Sequence, residues 1–89
     1  MFVEFDKSFS KSLDKLKDPI VKLKIAQIVS EFDNAIVIFD VRKVKKLTGY
    51  KTYYRIRIGD YRLGIELVDE NVANFIIVAH RKDIYKIFP

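Results

Sequence analysis

The 89-residue sequence has no cysteine and a single histidine. Without cysteine there is no disulfide framework, no thiolate zinc site and no thiol nucleophile. That absence fits a reducing compartment. One histidine leaves too few nitrogen ligands for a histidine-based metal site. No apolar run approaches the ~18–20 residues of a membrane span. The opening Met1-Phe2-Val3-Glu4-Phe5-Asp6 lacks the basic stretch and apolar core of a signal peptide. A cytoplasmic protein without metal or cofactor is expected. Repeats, low-complexity segments and linkers are also absent, so residues 1–89 read as one domain.

What is present is a compact set of apolar residues and an uneven distribution of charge. A chain of this size buries only about 60–65% of its unfolded surface. Its seven phenylalanines and five tyrosines therefore matter, since each ring can bury roughly 150–250 Å². The net charge is +5. Residues 1–41 carry −1, residues 42–62 carry +7, residues 63–79 carry −3 and residues 80–89 carry +2. The central segment holds Arg42, Lys43, Lys45, Lys46, Lys51, Arg55, Arg57 and Arg62 against Asp60 alone. Such a segment concentrates polyanions around it, and Lys43, Lys45, Lys46 and Lys51 are candidates for general electrostatic contact with nucleic acid.

The pattern of elements predicts an α+β fold. Met1–Phe5 reads as a short strand. Asp6 can cap a helix whose stripe is Phe9, Leu13 and Leu16. Asp18-Pro19 starts a second helix with Val21, Ile25, Ile28 and Phe32 on one face, a face widened by Ile20, Leu23 and Val29. Asn34 is its stop. Ala35–Val41 fits a strand or irregular chain, Arg42–Leu47 is a basic stretch holding Val44 and Leu47, and Thr48-Gly49-Tyr50 breaks the pattern. Tyr53–Ile58 alternates strictly, Gly59-Asp60 suits a type II′ hairpin turn, and Tyr61–Val68 alternates again. Glu70-Asn71 is a second turn before a strand at Val72–Ala79, and Arg81–Phe88 is a tail with one helical turn. The two helices must bury their apolar surface on this small, mainly antiparallel sheet.

The first hairpin fixes a register. A two-residue loop pairs Ile58 with Tyr61, Arg57 with Arg62, Ile56 with Leu63 and Arg55 with Gly64. Arg55, Arg57 and Arg62 then share the face opposite the core, where like charges across strands cost a few tenths of a kcal/mol or more. Glycine opposite Arg55 leaves room for a ligand, and the arrangement calls for an anion between the strands. A two-residue second turn would pair Val68 with Ala73 and Arg62 with Ala79, placing Arg81 on the arginine face and His80 on the core face. Tyr85, four residues beyond Arg81, would point the same way on one helical turn. Arginine suits phosphate because its planar fork binds bidentately. Tyr50, Tyr53 and Phe75 could stack on bases, with packing the competing role for each.

Three stretches carry a family resemblance: Lys46-Leu47-Thr48-Gly49, Tyr54 through Gly64, and His80-Arg81-Lys82-Asp83-Ile84-Tyr85. They resemble the RelE/ParE superfamily of toxin–antitoxin toxins, the RelE branch most of all. The order of strand, helix hairpin and antiparallel sheet resembles it too. The resemblance implies a toxin that cleaves mRNA in the ribosomal A site without metal, by attack of the ribose 2′-OH on the adjacent phosphate. It implies working residues at Arg55, Arg57, Arg62, Arg81 and Tyr85. It also implies an acidic RelB-like antitoxin and a toxin–antitoxin heterotetramer. Arg62 and Arg81 are the candidates to stabilise a phosphorane. Well-known relatives carry lysine in the central pair, whereas here both Arg55 and Arg57 are arginine, a poor general base. Lys51, His80 and Tyr85 are the substitutes. Two competing readings are a ParE-like inhibitor of DNA gyrase and a non-catalytic RNA-binding module.

Overall fold

The capping signals form as read. In the computed structural model, which describes Met1–Pro89, β1 spans Phe2–Phe5 and α1 spans Lys7–Lys15. The Asp6 carboxylate accepts the Ser8 N–H at the start of α1 (3.1 Å). Helix α2, Pro19–Asn34, opens on Asp18, which accepts from the N–H groups of Ile20 and Val21 at 3.0 and 3.3 Å. Proline at its first position costs nothing because that N–H has no helical partner. Four strands follow: β2 (Lys45–Lys46), β3 (Tyr53–Ile58), β4 (Tyr61–Asp69) and β5 (Val72–His80). The four-residue α3 (Ile84–Ile87) closes the chain. No helix is long and apolar enough to cross a membrane.

The sheet is mixed, with order β1-β5-β4-β3-β2, and only the β1–β5 pair is parallel. The β3–β4 register is the one the two-residue loop requires, including Arg57 opposite Arg62 and Arg55 opposite Gly64. Gly59 has φ +58°, the positive value that glycine supplies at the first position of a II′ turn. One face of the sheet buries Tyr54, Ile56, Ile58, Leu63, Ile65, Ala73, Phe75 and Val78 under the helix hairpin. At its centre the Phe75 ring meets Phe5, Phe9 and Phe32 edge-on, with centroids 5.6, 5.6 and 5.2 Å away.

Two expectations need correction, and two stretches left open resolve. Arg62 does pair with Ala79, but Val68 does not pair with Ala73; Leu67 does. Two irregularities intervene, one leaving Ile76 as an extra residue on β5 and one leaving Val68 as an extra residue on β4. Phe75 and Val78 are three apart, so plain alternation would put them on opposite faces. The extra residue at Ile76 lets both point into the core. On α2, Ile20 and Leu23 are 63% and 60% exposed; the nine-residue α1 covers only one flank of the longer helix. Ala35–Val41 is a 3₁₀ turn at Ile38–Asp40, not a strand. The Asp40 carboxylate accepts from the Val37 and Ile36 N–H groups, which holds its pKa below the usual value. The basic stretch Arg42–Leu47 yields only the two-residue β2, preceded by Lys43 at φ +67°, outside the extended range a strand requires.

Strand β1 ends at Phe5 opposite Phe75, and α1 takes over the β5 edge from there. The Phe75 carbonyl accepts the Asp6 N–H at 2.9 Å. The Ser8 hydroxyl lies between the Asp6 carboxylate and the Ile76 carbonyl, within hydrogen-bond reach of both. The Val78 N–H donates to Ser12 Oγ at 3.1 Å, and Ser12 donates to the Phe9 carbonyl at 2.9 Å. Two serines one helical turn apart thus do part of an edge strand's work.

Candidate nucleic-acid interface

The sheet face away from the helix hairpin carries the arginines. Only three ion pairs form in the whole protein: Arg42–Glu31, Arg81–Asp60 and Lys86–Asp83. Arg55, Arg57 and Arg62 have no carboxylate partner, and Lys45 lies directly across from Arg55 on β2. This strip of sheet therefore holds repelling cations that only an added anion can neutralise.

The predicted site residues fall into three neighbouring places. At the β3–β4 turn, Arg62 Nη1 donates to the carbonyls of Gly59 and Tyr61 at 2.8 and 2.9 Å. This draws its guanidinium toward the turn and eases its repulsion with Arg57. Arg81 reaches the same turn: its backbone N–H donates to the Asp60 carbonyl at 2.7 Å, and its Nε lies 3.8 Å from Asp60 Oδ1. The second place is a cleft of about 410 Å³ lined by Lys46, Thr48, Tyr50, Arg55, Tyr85 and Phe88, among others. The third is a cleft of about 550 Å³ between α2 and the β3 edge, whose lining includes Arg57, Arg42, Lys43, Lys24, Glu31 and Ile56. Lys51 lies exposed in the loop before β3 and lines neither cleft.

Arg81 and Tyr85 do not share a helical turn. Helix α3 begins at Ile84, so Arg81 precedes it and meets Asp60 while Tyr85 lines the cleft with Arg55. Of the three substitutes for a general base, Tyr85 alone lines a cleft with one of the central arginines. His80 is half-buried against Tyr61, with ring centroids 5.6 Å apart, and its Nδ1 accepts the Lys82 N–H at 3.2 Å.

The space over Gly64 is taken by the chain itself. A Cβ at Gly64 would sit 2.9 Å from three atoms of the Phe88 ring, and Phe88 and Ile84 are 2% and 1% exposed. The tail thus builds a small second core on the arginine face, and Gly64 serves close packing, not a ligand. Nothing in the local sequence signals that a ring 24 positions later covers that glycine. Gly64→Ala is expected to cost about 1–3 kcal/mol through overpacking, read as a lower urea midpoint. In the background of Phe88→Ala the same change should cost much less, and equal costs in both backgrounds would contradict the contact. Phe88 and Lys24 are cleft residues that the sequence did not single out, Arg42 was read only as part of the basic segment, and Tyr50 only as a ring that could stack or pack.

A helix hairpin on one face of a five-stranded mixed sheet, with an unpaired basic strip on the other, defines a class of small toxins. The chain belongs to the RelE/ParE superfamily of type II toxins: over residues 3–85 it matches the family described as ParE toxin of type II toxin-antitoxin system, parDE. Among characterised relatives it is similar to Toxin RelE3 of Methanocaldococcus jannaschii, 42% identical over 100% of both chains. Its fold is similar to the toxin in the RelB–RelE antitoxin–toxin complex from Methanococcus jannaschii, with TM-score 0.79, 39% identity, and coverage of 97% of this chain and 99% of that one. The archaeal RelE–RelB complex from Pyrococcus horikoshii shares the fold, with TM-score 0.71 at 22% identity over 93% and 97% of the chains.

Proposed function

We propose that the protein is the toxin of a type II toxin–antitoxin system and acts as a ribosome-dependent, metal-independent endoribonuclease on mRNA in the A site. What supports this reading is that Arg55, Arg57 and Arg62 share the β3–β4 face without any carboxylate partner, with Arg81 at the same hairpin turn as Arg62 and Tyr85 lining a cleft with Arg55. In the reaction the ribose 2′-oxygen attacks the adjacent phosphorus and the bond to the 5′-oxygen breaks. The 2′-proton leaves to a base and the 5′-oxygen takes up a proton. The products are a 2′,3′-cyclic phosphate and a 5′-hydroxyl. Arg62 and Arg81 at the hairpin turn would stabilise the added negative charge of the phosphorane. Arg55 would hold the phosphate beside Tyr85, whose phenol would orient or deprotonate the 2′-OH.

The partner is an antitoxin, by similarity to relatives solved as toxin–antitoxin complexes. An acidic, extended antitoxin segment fits the cleft between α2 and the β3 edge. There β2 covers β3 only as far as Arg55, so Ile56–Ile58 lack a strand neighbour on that side, and the lining includes Lys24, Arg42 and Lys43 over Ile28, Ile56 and Ile58. Pairing of two such complexes would give a heterotetramer.

The test is purified protein with programmed ribosomes and a defined mRNA, beside the same mRNA free in solution, with 5′ ends mapped by primer extension. Cleavage in the A-site codon only when ribosomes are present is the expected result. The matched family's description as ParE favours a second reading, a toxin directed at DNA gyrase. A DNA-damage response on induction, with translation continuing and no cleavage in either tube, would replace the nuclease with that reading.

A further inference from the structure

We propose that Tyr50, with Lys46 and Thr48, forms a base-stacking subsite for a single-stranded RNA nucleotide next to the one being cleaved. This rests on reading the basic face as an RNA site, and extends it by naming where a neighbouring base goes.

Three aromatic rings stand in series, and the first and last of them, Tyr50 and Phe88, line the 410 Å³ cleft. Tyr50 meets Tyr53 at 5.6 Å and Tyr53 meets Phe88 at 5.5 Å, both edge-to-face. The inner end of this series is fixed, because Phe88 is buried against Gly64. The outer end is not covered: Tyr50 is 48% exposed. A ring braced on one side and open on the other stacks on a base with little loss of its own freedom.

The backbone explains why Tyr50 sits there. Gly49 takes φ +87°, within the tight turn Leu47–Tyr50 closed by the Tyr50 N–H donating to the Leu47 carbonyl at 3.2 Å. Thr48 and Tyr50 thereby line the same cleft. Lys46 and Arg55 supply two positive charges there, and no carboxylate side chain lines it. Its volume suits a nucleotide. The larger cleft beside α2 differs, since Glu31 lines it and its floor is aliphatic. A cationic cleft with no acidic side chain and an open ring favours a phosphate joined to a base, and Thr48 can hydrogen-bond to that base's edge or to a ribose hydroxyl.

The probe is a fluorescein-labelled RNA trinucleotide with 2′-O-methyl groups, which has no 2′-OH nucleophile and needs no ribosome. Anisotropy should show binding that weakens about tenfold in Tyr50→Ala and is retained in Tyr50→Trp. The slope of log affinity against log salt should be unchanged by Tyr50→Ala and reduced by about one in Lys46→Ala. Unfolding midpoints check that each variant is folded. The subsite is overturned if the folded wild type does not bind the trinucleotide, if Tyr50→Ala binds as tightly, or if Tyr50→Trp falls with Tyr50→Ala. Binding of a deca-glutamate peptide with the same Tyr50 dependence would also overturn it, assigning the cleft to protein. Tyr50-dependent binding without cleavage on ribosomes would remove the nuclease and leave the subsite. Cleavage on ribosomes with Tyr50-independent trinucleotide binding would do the reverse.

Discussion

The double variant Arg81→Ala with Tyr85→Phe should lower cleavage of ribosome-bound mRNA by about two to three powers of ten, with little change in stability. Preorganised charges facing a transition state contribute about 10²–10³ per lost donor. The fold should tolerate the change because both residues are exposed. The Arg81 side chain makes one exposed ion pair with Asp60 at 3.8 Å, a contact worth about 0–1 kcal/mol. Its backbone N–H bond to the Asp60 carbonyl survives the substitution. Tyr85→Phe alone separates two roles for the ring. Loss of rate in that single variant assigns the role to the phenolic oxygen, and retention assigns it to stacking. A double variant that cleaves at the wild-type rate would remove both residues from the site.

Phe75→Ala should cost about 3–5 kcal/mol, the range for truncating a buried phenylalanine. Phe75 is fully buried and its ring is shared by β1 through Phe5, by α1 through Phe9 and by α2 through Phe32. No nearby side chain can swing in to fill the space without leaving its own contacts. Domains of this size have roughly 5–15 kcal/mol in total, so the variant should be marginal or unfolded at 37 °C. The measurement is a urea titration beside Ile20→Ala, where an exposed helix position should move stability by less than about 0.5 kcal/mol. A loss below about 1 kcal/mol at Phe75 would mean that the helix hairpin does not depend on this cluster.

The contrast between those two positions marks where the sequence could be read and where it could not. Both are apolar residues on strongly patterned elements. The β3–β4 hairpin was legible in full, because a two-residue loop and strict alternation leave one register, and with it the shared face of Arg55, Arg57 and Arg62. The β4–β5 pair was legible at its two ends, where Arg62 faces Ala79 and Asp69 faces Val72, and not between them. Single extra residues at Ile76 and Val68 reset the pairing, and no local residue type announces them. Ile20 looked like an extension of the α2 stripe because a stripe says which side is apolar and not how wide a neighbour lies against it. Gly64 was ambiguous for a similar reason. A missing side chain makes room, but the sequence does not say whether a ligand or a distant ring of the same chain fills it. Arg81 and Tyr85 were wrongly joined, since the start of a four-residue helix decides whether spacing by four means anything.

The serines of α1 bear on how this chain reaches its fold. Ser8 and Ser12 bond to backbone atoms 68 and 66 positions later, and β1 pairs in parallel with the last long strand. Contacts of such long range require most of the chain to be in place before they form, so folding is slower than in a helical bundle of equal length. During synthesis α1 emerges early, yet its serines lack their β5 partners, the Ile76 carbonyl and the Val78 N–H, until β5 has left the exit tunnel. The β3–β4 hairpin that carries the arginines is local, but the edge where α1 and β1 close the sheet on β5 is completed only after β5 is available.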